Sequence, residues 1–226
     1  MATWSFYSDR QGQQSRWWWC GAMLLGGVLS LAWLALAWQG QKPWLLQIDQ
    51  WGMQWVNWRE GTTATFAWYF ALTIDWLGRA LISIVLALLL GVWLAKQQRG
   101  VWWAPPALLS AGWLINFLLK VAFDRPRPAL EVAISTSGSA FPSGHATATT
   151  LLLALFAYGL WPLLPRWLRM PVMGVFLVLV VLAALTRPLL GVHYISDVLA
   201  GMALAMSCFA GFLLLMPAAR TRRLFS

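Results

Sequence analysis

Three short segments carry nearly all the residues able to do chemistry on an anion. Phe141-Pro142-Ser143-Gly144-His145 opens an apolar run. That places Ser143 and Gly144 at a helix N-terminus, where free backbone N–H groups and the positive end of the helix dipole attract an anion. Ser143 can cap the helix or donate its hydroxyl, and Gly144 lets a phosphate approach the backbone closely. The same residues would also serve as a plain helix start. A second segment runs Thr186-Arg187, five residues, His193, three residues, Asp197. His193 and Asp197 are four apart, hence on one helix face. A carboxylate there accepts the imidazole N–H and leaves the other ring nitrogen free as a nucleophile or a base. Arg187 adds a planar cation suited to phosphate oxygens. A simple ion pair lining a pore would use the same three side chains. The third segment is Lys120, six residues, Arg127-Pro128. Two cations held apart by a proline-stiffened stretch can clamp one anion from two sides, or bind anionic lipid beside a membrane.

The surrounding chain says what must position these segments. It has 226 residues, 60% of them hydrophobic and only 10% charged, whereas soluble domains average about a quarter charged. Long apolar runs with so few charges place it in the membrane class, with room for five or six spans of about 20 residues each. A polar segment over residues 1–16 precedes a first run over Trp17–Trp38. That run is long and late for a cleaved signal peptide, and no small-residue cleavage site follows it. Residues 39–76 read as interfacial. They hold a short amphipathic helix in which Ile48, Trp51, Trp55 and Val56 recur at helical spacing, and a second short helix over Thr63–Ile74. Further spans are expected over Leu77–Ala95, over Val101–Leu119 with Pro105 and Pro106 in the first turns, and from Gly144 to before Pro162. A basic loop over Leu163–Arg169, a short span over Pro171–Leu185, a brief turn and a last span over Tyr194–Leu215 complete the chain. The expectation is one all-α polytopic membrane domain over residues 1–226, with six transmembrane helices, short interfacial helices and the motifs at 120–197.

The net charge is +9, and its distribution sets orientation. Arg10, Arg16, Lys96, Arg99, Arg166, Arg169, Arg220, Arg222 and Arg223 fall on one set of span ends. Lys42, Arg59, Arg79, Lys120, Arg125, Arg127 and Arg187 fall on the other. The bias puts both termini in the cytoplasm and the three motifs at the opposite, non-cytoplasmic face. The basic residues form no continuous stripe, which excludes nucleic acid as a partner. Cys20 and Cys208 lie in or beside apolar runs as small hydrophobes, and tryptophan clusters at 17–19 and 102–103 suit an interfacial belt. Asp75 and Arg79 read as an ion pair at a span start, and Tyr194 as packing. Asp124 and Glu131 read as solvated or paired with Arg125.

Taken in order, the three segments resemble the signature of the type 2 phosphatidic acid phosphatase superfamily, which includes bacterial lipid phosphatases, glucose-6-phosphatase and vanadium haloperoxidases. That signature is Lys-x6-Arg-Pro, Pro-Ser-Gly-His and Ser-Arg-x5-His-x3-Asp. Here it stands as Lys120 to Arg127-Pro128, Pro142-Ser143-Gly144-His145, and Thr186-Arg187 to His193 and Asp197. All spacings match. The one departure, Thr186 in place of serine, keeps the hydroxyl. The resemblance implies that His193 attacks phosphorus in line and forms a phosphohistidine, with Asp197 orienting it. It implies that His145 protonates the leaving oxygen and then activates water. Lys120, Arg127, Arg187, Ser143 and the Gly144 N–H would hold the equatorial oxygens, with no metal and no other cofactor. The implied substrate is a lipid phosphate or diphosphate at the outer face of a bacterial inner membrane. Undecaprenyl diphosphate stands ahead of phosphatidylglycerol phosphate and phosphatidic acid, and the short linker Ala129–Phe141 leaves no cap domain over the head group. A phosphotransferase passing the same phosphohistidine to another lipid, a vanadate-dependent haloperoxidase and a non-catalytic lipid-binding or transport protein are the alternatives. The haloperoxidase relatives are soluble, unlike this chain.

Overall fold

The structure, a computed structural model, describes residues 3–54, 69, 71–73, 75, 76, 78–97, 101–129 and 138–215. Among these residues the α-helices with described bounds are, in order, α1 (Thr3–Gln39), α2 (Pro43–Gln54), α3 (Ala80–Lys96), α4 (Ala104–Phe123), α5 (Gly144–Leu160), α6 (Arg166–Leu189) and α7 (Ile195–Leu215). No strand occurs among the described residues. Among the described residues, five helical stretches are long and apolar enough to cross a membrane: Gln14–Gln39, Ala104–Phe123, Gly144–Leu163, Arg166–Leu189 and Ile195–Leu215. Helix α3 is equally apolar but only 17 residues long.

Two helices are longer than their hydrophobic patterns. Helix α1 continues N-terminally through the polar segment, because a helix nucleated by an apolar run extends into neighbouring polar residues at little cost. Helix α6 starts at Arg166 and carries Pro171 inside it, where a proline marks no boundary because surrounding helices tolerate the lost hydrogen bond. It also runs on through Thr186-Arg187-Pro188, so Arg187 lies in a last helical turn rather than in the expected brief turn. A cation is favoured there by the helix dipole. Helix α2 confirms a short helix between the first two apolar runs. The expected helix over 63–74 falls largely outside the described residues.

The main core joins Ala87, Leu90 and Leu94 of α3, Leu108 and Leu109 of α4, Leu151, Leu152 and Leu155 of α5, and Ala205 of α7. A second cluster packs Leu34, Ala35 and Ala37 of α1 and Leu45 of α2 against Phe141 and Ala200. Helices α5 and α7 approach closely at Gly201, where an added Cβ would lie 3.1 Å from the Ala146 Cβ and 3.2 Å from the Thr147 hydroxyl. Small residues at such a crossing let two helices of a membrane bundle touch backbone to backbone. The Thr147 hydroxyl, 3.0 Å from the Ser143 carbonyl and 3.1 Å from the Gly201 carbonyl, ties the two together. That crossing fixes the N-terminus of α5 against the first turns of α7, and so brings the second and third motifs into one place.

Candidate active site

The loop before α5 is held from three directions. Phe141 is fully buried, stacked on Trp38 (ring centroids 6.3 Å apart) and met edge-on by Phe123 at 5.2 Å. The Asn116 amide donates to the Pro142 carbonyl at 3.3 Å and reaches the Thr147 hydroxyl at 3.2 Å. Ser143 caps α5, accepting from the Ala146 N–H at 3.4 Å, while its own N–H donates to the Asp197 carbonyl at 2.9 Å. Gly144 lies where a Cβ would come within 3.0 Å of Asn116 and Trp113. His145 therefore projects from a rigid first turn.

The His145 ring meets residues that come from before α3. Its Nε2 is 3.6 Å from Asp75 Oδ1, and Gly78 lies directly against the ring. That Nε2 is buried and has no hydrogen-bond partner among the described residues. The same Asp75 oxygen accepts from the buried Arg187 guanidinium, and the other takes the Arg79 Nε at 3.4 Å. The expected Asp75–Arg79 pair thus exists, but Asp75 is buried and its firmer partner is Arg187.

His193 sits in the turn between α6 and α7, almost fully buried. Its Nδ1 lies 3.5 Å from Asp197 Oδ2, and its Nε2 lies 3.5 Å from the Arg127 guanidinium. Arg127 is anchored on the Gly138 carbonyl at 2.9 Å and the Val192 carbonyl at 3.0 Å. Lys120 donates to the Ser139 carbonyl. Burial first, and then the Arg187, Arg127 and Lys120 charges, hold the His193 imidazole well below the usual histidine value. All three sequence-derived cations therefore act on one ring.

Asp197 is fully buried in the first turn of α7 and shared among donors. Its Oδ2 accepts the Tyr194 N–H at 2.9 Å, the backward half of a capping box. Its Oδ1 takes the Arg125 guanidinium at 2.6 Å. Arg125 reaches on to the Ser196 hydroxyl at 2.7 Å and to Asp49 Oδ2 at 2.7 Å. Asp49 in turn accepts the Ser196 N–H at 2.9 Å and its hydroxyl at 2.7 Å. Arg125 is thus not a solvated partner of Asp124. Asp124 instead ends α4 in a left-handed conformation (φ 43°), which aspartate tolerates. Glu131 lies outside the described residues.

The family model described as "PAP2 superfamily" matches residues 100–221. The chain belongs to the PAP2 superfamily. Over 98 residues it is 34% identical to "Phosphatidylglycerophosphatase B" of Bacillus subtilis, a match covering 42% of this chain and 48% of that protein. Over 131 residues it is 37% identical to "Decaprenylphosphoryl-5-phosphoribose phosphatase" of Mycobacterium tuberculosis, covering 56% of this chain and 68% of the relative. The match thus spans about half the length of the first relative and two thirds of the second. The crystal structure of a transmembrane PAP2 type phosphatidylglycerolphosphate phosphatase from Bacillus subtilis superposes with a TM-score of 0.71 at 23% identity, covering 84% of this chain and 94% of that one. The two share a fold.

The eight residues singled out from sequence lie at the α4 end and the loop after it, at the α5 start, at the α6 end, and in the turn into α7 and its first turn. Asp75, Asn116 and Arg125, which touch them, and Asp49, which reaches them through Arg125, carried no motif signal. Asp49 read as a polar position on an interfacial helix, since its partner Arg125 lies 76 residues away. Among the described residues no three of His, Cys, Asp or Glu group as a metal site.

Proposed function

We propose that this PAP2 protein is a membrane lipid phosphatase that works through a phosphohistidine on His193. The observation that carries the reading is the buried His193 ring held between Asp197 at Nδ1 and the Arg127 guanidinium at Nε2, each 3.5 Å away. Asp197 faces Nδ1, so Nε2 is the nitrogen left to attack phosphorus. A P–N bond forms there as the bond to the lipid oxygen breaks, and His145 Nε2 donates a proton to that oxygen. Water then attacks the phosphohistidine, giving its proton to His145 and releasing inorganic phosphate. The three cations, Ser143 and the Gly144 N–H stabilise the charge spread over the equatorial oxygens.

The geometry also supports six membrane passes, with α3 as the sixth. The end of α1, the start of α3, the end of α4, the start of α5, the end of α6 and the start of α7 all meet at the site, which alternation across a bilayer requires. The excess of Lys and Arg at the opposite ends supports a non-cytoplasmic site in a bacterial inner membrane, with both termini cytoplasmic. The substrate class is a phosphate or diphosphate on a lipid anchor. Undecaprenyl diphosphate is the first candidate by family analogy alone. The relatives' names add phosphatidylglycerol phosphate and a decaprenylphosphoryl phosphoribose.

Purified protein in detergent, offered each of these lipids and phosphatidic acid, is expected to release inorganic phosphate without an added acceptor. His193→Ala is expected to abolish release, and acid-labile, base-stable label should be trapped on His193 in the wild type. Full turnover by His193→Ala would defeat the mechanism. Phosphate transfer only when a second lipid is supplied would replace hydrolysis by phosphotransfer.

A further inference from the structure

We propose that Asp49 and Arg125 are positioning residues for the nucleophile, a buried charge-balanced pair that sets how much negative charge Asp197 presents to His193. The proposal rests on His193 being the nucleophile.

One guanidinium sits between two carboxylates. Arg125 donates to Asp197 at 2.6 Å and to Asp49 at 2.7 Å, and the three side chains are almost wholly buried. Its plane is fixed by the Tyr194 ring, 4.3 Å away, with Trp38 at 5.5 Å. Asp49 does two further things. It fills the free Ser196 N–H in the first turn of α7 at 2.9 Å, and it takes the Ser196 hydroxyl at 2.7 Å. Helix α2 thereby grips the helix that carries Asp197.

The charge count explains why a second acid is needed. Arg125 paired with Asp197 alone would cancel the carboxylate as seen from His193. As the P–N bond forms, the imidazole becomes cationic, and a neutralised Asp197 would not stabilise it. Asp49 restores one net negative charge to the cluster while Arg125 still satisfies the buried Asp197 oxygen. An opposite charge at such short range shifts a neighbour by about one to three pKa units.

Charge variants separate this role from that of a structural staple. Asp49→Asn makes the cluster neutral, and kcat is expected to fall about tenfold with KM little changed. Asp49→Asn/Arg125→Gln returns the cluster to one net negative charge and keeps an amide donor on Asp197. Its kcat is expected to recover to within about threefold of wild type. A double variant as slow as Asp49→Asn or slower, or an Asp49→Asn with wild-type kcat, would overturn the proposal. Melting in detergent reports folding. If Asp49→Asn does not accumulate, the double variant decides alone, since a kcat below about a tenth of wild type refutes charge balance. His193→Ala runs alongside. Activity surviving there sinks the phosphohistidine reading itself, whereas loss there with unchanged Asp49→Asn sinks only the charge-balance role.

Discussion

Gly78→Ala places one methyl group directly against the proposed acid. A Cβ on Gly78 would stand 2.5 Å from Cγ of the His145 ring and nearer still to its Cδ2 and Nε2. Carbon atoms in ordinary contact are about 3.5 to 4.0 Å apart, so ring or backbone must yield by more than about 1 Å. The ring has little room, since α5 is fixed at Ser143, and the backbone beside Gly78 is tied through Asp75 to Arg187. A misplacement of about 1 Å costs about a hundredfold in rate, or about 2.7 kcal/mol of barrier. The assay compares two leaving groups. A lipid phosphate leaves as a poorly stabilised alkoxide and needs the proton, whereas p-nitrophenyl phosphate leaves as a stable phenolate and scarcely does. Gly78→Ala is expected to cut kcat on the lipid about a hundredfold and on the nitrophenyl ester far less. Overpacking costs about 1 to 3 kcal/mol of stability, visible separately as a lower melting temperature. Equal losses on both substrates, or none on either, would show that His145 is not the acid that this contact displaces.

Two other expectations follow from the same geometry. Asp75 occupies Arg187, so Asp75→Asn should free that cation and tighten inhibition by inorganic phosphate and vanadate. The removed charge is worth about 1 kcal/mol at 4 Å even in bulk water, or about fivefold; unchanged inhibition would mean that Arg187 does not meet the phosphate. The chain has only two histidines, so 15N NMR can follow each ring, with His145→Gln assigning them. Burial and the three cations depress His193, so its ring should stay neutral at pH 6 and keep its attacking nitrogen. Lys120→Met removes one of those cations and should move the midpoint upward. A wild-type midpoint at or above about 6.5 would contradict the convergence of cations on that ring.

What sequence showed well were features encoded over short distances. The Ser143 cap before His145 and the prolines opening α4 are local, and each stands where its pattern put it; His193 does face Asp197, but from the turn before α7 rather than from a shared helix face. The limits of α6 are not legible in the pattern, because Pro171 and Pro188 look like boundaries, yet a membrane bundle accommodates both inside a helix. Burial was the second blind spot. Asp49, Asp75 and Arg125 resemble interfacial charges in a linear pattern, and each becomes a buried partner only when distant helices meet.

Those buried acids share an origin that bears on how the site is built. The family match covers residues 100–221 and contains every residue singled out for chemistry. Asp49 and Asp75 both lie before it, one on α2 and one just before α3. Each nevertheless stands behind one of the two histidines: Asp75 beside His145 directly, and Asp49 behind His193 through Arg125 and Asp197. The motif-bearing part alone would present four cations, two histidines and one acid, which is a strong anion trap with little negative charge to stabilise a cationic imidazole. The N-terminal part of the chain adds the missing carboxylates. On the proposed mechanism, catalysis depends on the docking of α2 and of the residues before α3 as much as on the motifs. Substitutions that loosen that docking should lower kcat while the phosphate cradle itself still binds vanadate.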